Sequence, residues 1–311
     1  MTLLSIYLIK LELPDKMLKR LDVNFAEAVS KFERILKNFQ ARKLVYNTIF
    51  RGRGLEFDGY RDISADDDAS MIDWKASLRA NELLARQYTE ERDINIYFLV
   101  DVSSNMMFGS GNKLKAEYAA EIVAVLSHLI SNSRDEPGLM MFSDREKKSL
   151  MPSKSKNQFY LFLKALSDAE LYGGEFDIRS GILHLAKMIK SSNSVVIIVS
   201  DFINISGAEK ELMMLSSKFE TIAFMIRDPL DDSIPKSSYQ MLLQDSESGR
   251  QIVVDSNLVS EKYSEIALRK KNETKEYLRK DGIDVFEIST DKPFFLPLAS
   301  FLKSRSKEAR R

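Results

Sequence analysis

INIYFLVDVSSNMMFGSG, residues 94–111, opens with an almost wholly apolar run from Ile94 to Val100. It then breaks into Asp101, Ser103, Ser104 and Asn105, followed by a glycine-bracketed turn and a long helical pattern. A short continuous apolar run bounded by turn residues reads as a strand buried on both faces. A carboxylate and hydroxyls at its carboxyl end suggest a site, because open α/β sheets bind ligands beyond those ends.

Working outward, apolar runs recur at 94–100, 138–142, 195–199, 221–226 and 283–288. Helical periodicities lie between them. Lys113 to Ile130 carries Leu114, Tyr118, Ile122, Val125 and Leu129 on one face, and Gln158–Leu166, Ile178–Ile189 and Ala208–Phe219 follow. This alternation predicts an α/β fold, a mostly parallel sheet with helices on both faces. Two insertions interrupt the rhythm. Tyr239–Gln244 and Gln251–Asp255 flank Ser246-Glu247-Ser248-Gly249 and read as a β-hairpin, and Asn257–Lys280 reads as a charged helix. Ser304–Arg311 reads as a basic, frayed tail.

Upstream, residues 15–48 read as a helix packed on the main domain. Leu18, Leu21, Phe25, Val29, Phe32, Ile35 and Phe39 draw one apolar stripe. Between this helix and Ile94, the paired glycines of Arg51–Gly54 form a turn and not a phosphate loop, since no Lys-Ser or Lys-Thr follows. Asp66, Asp67 and Asp68 lack the glycine and distant glutamate of a calcium loop and read as a solvated turn. Trp74, the single tryptophan, is either a partner anchor or half-buried structure. Leu83–Glu90 reads as a strand. The organisation is thus an N-terminal segment at 1–50, a lead-in at 51–93, the main α/β domain at 94–303 and the tail at 304–311.

The composition sets limits on function. Lysine plus arginine and aspartate plus glutamate both number 46 in 311 residues, so no large nucleic-acid footprint is advertised. With no cysteine, disulfides, thiolate zinc sites and cysteine nucleophiles are excluded, which suits a reducing compartment. The apolar start MTLLSIYLIKLEL is too short to span a bilayer and reads as a strand or packed segment. A soluble, cytoplasmic protein is expected.

Three apolar runs lead into aspartates: Asp101, Asp201 and Asp228. Carboxylates gathered at adjacent strand ends repel one another, and a hard cation with oxygen ligands relieves the repulsion. Asp101, Ser103 and Asn105, with Asp201 arriving from another strand, can supply part of such a shell. The competing structural reading is a capped strand-to-helix turn. An aspartyl phosphatase needs an acid–base aspartate two residues after its nucleophile, and that position is Ser103. Ser103 and Ser104 lack the glycine frame of a nucleophile elbow, and the two histidines, His128 and His184, fall on expected helices. Lys113, after Gly109-Ser110-Gly111, fails the spacing of a nucleotide loop.

GLEFDGYRDISADDDASMIDWKASLRANELLARQYTEERD, FLVDVSSNMMFGSGNKLKAEYAAEIVA and VVIIVSDF, with RDPLDD and the later DSESG, resemble the von Willebrand factor A domains. Within these, the resemblance is to the bacterial and archaeal group labelled domain of unknown function 58. It implies a Rossmann-like sheet with a metal-ion-dependent adhesion site whose Asp-x-Ser-x-Ser motif falls on Asp101, Ser103 and Asn105, and whose last aspartate falls on Asp201. It also implies magnesium (or manganese or calcium) as the ion, completed by a partner's acidic group, and a role beside MoxR-type AAA+ ATPases. Two departures stand out. Asn105 replaces a serine, and the threonine expected after Gly173-Gly174 is replaced by Glu175-Phe176-Asp177, leaving Glu175 or Asp177 as substitute ligands. The expected function is a non-catalytic interaction module. The alternatives are a metal-dependent phosphoester hydrolase using Asp101, or a metal-independent scaffold binding through Trp74 and the acidic turn.

Overall fold

Strands covered on both faces need apolar side chains at every position, and Ser194-Val-Val-Ile-Ile-Val-Ser200 is buried along its whole length. The computed structural model describes residues 6–8, 20–38, 56–63, 72–89, 94–133, 135–155, 157–237, 240–245 and 249–308. In chain order the elements are β1 (Ile6–Leu8), α1 (Phe25–Asn38), β2 (Glu56–Asp62), α2 (Trp74–Ala80), β3 (Leu84–Thr89), β4 (Asn95–Asp101) and α3 (Lys115–Ser131). Then come β5 (Glu136–Phe142), β6 (Glu146–Leu150), α4 (Gln158–Ser167), α5 (Ile178–Met188), β7 (Ser194–Ser200), α6 (Glu209–Lys218) and β8 (Glu220–Arg227). The chain continues with α7 (Pro229–Asp232), β9 (Gln240–Asp245), β10 (Gln251–Asp255), α8 (Ser256–Lys280), β11 (Asp284–Ser289) and α9 (Phe295–Glu308).

The main sheet has the order β11-β8-β7-β4-β5-β6, parallel except for β6 at one edge. Beginning at β4, its strands run outward through β5 and β6, and then the chain returns to the other side of β4 for β7. The switch point therefore lies between the carboxyl ends of β4 and β7, where the diverging connections leave a crevice. Val100 pairs with Val199 there, which brings Asp101 beside Ser200 and Asp201.

Alternate residues of each strand serve the two faces. Ile96, Phe98 and Val100 pack with α1, α3, α4 and α9, whereas Tyr97 and Leu99 pack with α5, α6 and Leu278 of α8. The helix α3 is buried on almost every side, from Lys115 to Ser127. The expected N-terminal helix does join this core: Leu21, Ala28, Phe32 and Leu36 are buried. It spans Phe25–Asn38, inside the 15–48 range read from periodicity; Leu18 and Phe39 lie outside the described residues.

The hairpin forms as expected, with β9 and β10 antiparallel and β1 added to β9 as a third strand. β2 and β3 make a separate antiparallel pair, with α2 between them in sequence. The C-terminal reading needs a correction. Residues 304–308 continue α9 instead of fraying, and buried Arg305 pairs with Glu220 and Asp284. The Asp66–Asp68 turn lies outside the described residues.

Because Phe32 is 1% exposed and its cavity would be enclosed by packed helices, Phe32→Ala should cost about 3–4 kcal/mol in urea unfolding. A loss below about 1 kcal/mol would mean that α1 is not part of the core.

Candidate functional site

Asp101 ends β4 with no accessible surface. Its Oδ1 accepts from the backbone N–H of Ser103 (2.8 Å), and its Oδ2 accepts from the Ser200 hydroxyl at the end of β7 (2.7 Å). Burial, reinforced by the negative charge of Asp201, raises its pKa from 3.8 to about 7. The Ser103 hydroxyl lies near enough to favour the carboxylate, yet its Oγ is fully buried without a hydrogen bond of good geometry. Among the described residues no cation pairs with Asp101. Asn105 is buried in the turn Ser104–Met107 that follows.

Asp201 is differently placed. Its Oδ1 accepts from the N–H of Ile203 (3.1 Å), and its Oδ2 is 2.6 Å from the ammonium of Lys115, the first residue of α3. Lys115 has no exposed surface and also reaches Asp231 of α7 at 3.3 Å and 3.4 Å. Burial alone disfavours this ammonium, but Asp201 and Asp231 outweigh it, so the pKa is raised and the lysine is charged. Arg227 extends the network, donating to the carbonyls of Asp201 and Asp231 and to Asp232 Oδ1, all at 3.2 Å. Asp228 is a structural pin, accepting from Ser110 (N–H and hydroxyl), Leu230 and Thr290.

The structure brings Asp101 and Asp201 to neighbouring strand ends, as the pattern of strand-end aspartates predicts, and adds Lys115 and Asp231, which that pattern does not reveal. A lysine opening an amphipathic helix reads as a solvent-facing residue. No local signal marks it, because the carboxylate it meets lies 86 residues further along the chain.

The glycine-pair loop docks against the strand-end turn. Gly173 N–H donates to Val102 O (2.7 Å), Ser104 N–H to Gly174 O (2.9 Å), and Gly174 N–H to Ser104 Oγ (3.1 Å). Gly174 has φ +97°, and a Cβ there would lie 2.7 Å from Asp144 Oδ1 and 2.9 Å from Ser143 Oγ. Neither proposed substitute ligand joins the buried cluster. Glu175 is exposed, and exposed Asp177 caps α5 by accepting from the Ser180 N–H (3.2 Å). Trp74 is 60% exposed at the start of α2, one turn from Leu78, which is 83% exposed.

These donors set what an ion would meet. Among the described residues, no three of His, Asp or Glu gather as a metal cage. A buried carboxylate without a counter-ion beside an unsatisfied hydroxyl oxygen does fit a hard cation on the Asp101 side. On the other side, Lys115 already neutralises Asp201. A cleft of about 610 Å³ opens nearby between α1, Ser110–Lys113 and residues 290–295. None of Asp101, Ser103, Asn105 or Asp201 lines it.

Fold and site together define a doubly wound α/β domain with a buried carboxylate and hydroxyl cluster at its switch point. The chain belongs to the family described as protein of unknown function DUF58, whose model matches residues 59–273. The uncharacterized protein Rv1480 of Mycobacterium tuberculosis is 22% identical over 262 residues, covering 83% of this chain and 82% of that protein. Among solved structures, conserved hypothetical protein BatB of Bacteroides thetaiotaomicron matches 69% of this chain and 99% of its own at 15% identity and TM-score 0.48. The SpRpn10 VWA domain matches 67% and 94% at 15% identity and TM-score 0.38.

The raised pKa of Asp101 has a definite sign. Between the unfolded value of 3.8 and about 7 the folded state holds the extra proton, so stability falls as pH rises across this window and the full penalty persists above it. The slope is at most about 1.4 kcal/mol per pH unit. Metal-free Asp101→Asn should melt above the wild type at pH 8, with the gain shrinking towards pH 5. An equal or lower melting temperature at pH 8 would show that Asp101 is not strained by burial.

Proposed function

We propose that the protein is a non-catalytic interaction module that docks a partner protein at the carboxyl edge of its main sheet. The observation that carries this reading is the wholly buried Asp101, which among the described residues has no cation beside it, next to the buried Ser103 hydroxyl. Asp101, Ser103 and Asn105 would hold a magnesium ion, or manganese or calcium. When bound, the ion supplies a positive centre that accepts an oxygen from an acidic side chain of the partner. The glycine-pair loop is hydrogen-bonded to this turn, and its displacement admits the partner. The partner is a MoxR-type AAA+ ATPase, and the protein serves as its adaptor or assembly factor in the cytoplasm. The family resemblance motivates this part of the proposal.

Side-chain geometry favours docking over hydrolysis. His128 faces Glu33 (3.3 Å) and Asn132 (3.0 Å), and His184 bonds the Ser180 carbonyl (2.9 Å). Neither is engaged with Ser103 or Asp101. A second reading, a metal-independent scaffold, is favoured by the exposed Trp74 and Leu78.

Magnesium or manganese at ten times its dissociation constant should stabilise the wild type by about 1.4 kcal/mol and leave Asp101→Ala unmoved. Capture of the ATPase should fail in EDTA. Metal-dependent turnover of a phosphate ester that is lost in Asp101→Asn would instead establish the hydrolase. Capture that ignores EDTA but fails in Trp74→Ala would establish the scaffold.

A further inference from the structure

The pairing of Lys115 with Asp201 bears on how an ion would be held, because Asp201 is the second carboxylate that a cation between β4 and β7 would call on. Three features fix Lys115 in place. Its side chain starts at the first residue of α3 and is wholly buried, so no solvated rotamer competes. It is held at both carboxylates, at 2.6 Å from Asp201 and 3.3 Å from Asp231. The Phe108 ring lies beneath the ammonium, at 5.8 Å to its centroid. Asp231 is itself immobilised, accepting from the Asp228 N–H at 2.8 Å within the cap of α7.

Removing an ammonium from a buried carboxylate leaves that carboxylate uncompensated, which is strongly unfavourable. A divalent ion approaching Asp201 directly would either displace Lys115 or sit against its positive charge. Asp101 lies outside this pairing, and the buried Ser103 hydroxyl is close enough to it to favour its carboxylate.

We infer that Lys115 withholds Asp201 from the coordination shell, so that the isolated protein binds a divalent ion weakly through Asp101 and Ser103 and tightly only when a partner's carboxylate takes the missing place. This rests on the docking reading above and adds to it: Lys115 sets the metal affinity, and metal and partner bind cooperatively. Such coupling is reciprocal, so the partner strengthens the ion and the ion the partner by the same factor.

Manganese binding to the full-length protein, followed by electron paramagnetic resonance in the absence of partner, tests the inference. Lys115→Met keeps an unbranched chain while freeing Asp201, and should tighten manganese binding at least tenfold. Asp201→Asn should leave the wild-type affinity within twofold, whereas Asp101→Asn should abolish binding. Should Lys115→Met not fold, the comparison of Asp201→Asn with Asp101→Asn decides. The inference is overturned if Asp201→Asn loses manganese as Asp101→Asn does, or if folded Lys115→Met binds no more tightly than wild type. Manganese binding that survives with either of those outcomes leaves the docking reading standing, while absence of binding in every variant removes both.

Discussion

A charged lysine and an aspartate without access to water, 2.6 Å apart at the carboxyl edge of the sheet, organise the loops around them. Lys115 ties the start of α3 to the end of β7 and to α7, elements separated by as many as 116 residues of chain. Around that pair, Arg227 braces the carbonyls of Asp201 and Asp231. From Arg227, charge pairing runs outward through Asp232 to Lys271 (2.6 Å) and on to Glu287 (3.0 Å), reaching α8 and β11. Buried ion pairs seldom add net stability over apolar packing, but breaking one is costly. Their consequence here is geometric: they tie the strand-end loops to one another, whereas among the described residues no cation pairs with Asp101.

Asp101 is the carboxylate on which the proposed ion site rests. The sheet places Asp101 at the switch point, and burial with Asp201 nearby raises its pKa to about 7. A proton or a cation relieves the same strain, so the protonation of Asp101 and ion binding compete. Docking through an ion would therefore favour neutral to alkaline pH.

The main sheet was legible in the sequence because its strands are buried on both faces and carry unbroken apolar runs such as Ser194–Ser200. The convergence of Asp101 and Asp201 follows from the same pattern, since Asp101 ends β4 and Asp201 directly follows the adjacent β7. Other features depend on folded context. Lys115 meets Asp201 across 86 residues, and nothing local to the helix start distinguishes it from Lys113, which pairs instead with Glu121 at 2.5 Å. The family resemblance implies Glu175 or Asp177 as substitute ligands, but Asp177 instead caps α5, accepting from the Ser180 N–H. At the C-terminus, the basic composition hid the anchoring of Arg305 by two carboxylates on neighbouring strands.

In the proposed one-sided ion site at this edge of the sheet, Asp101 and Ser103 are ready for a cation while Lys115 holds Asp201. A manganese-soaked crystal, examined by anomalous scattering at the metal edge, tests it most directly. A single peak bonded to the Asp101 carboxylate and Ser103 Oγ is expected, with Lys115 still paired to Asp201. A peak shared between Asp101 and Asp201 with Lys115 displaced, or no peak beside Asp101, would contradict it.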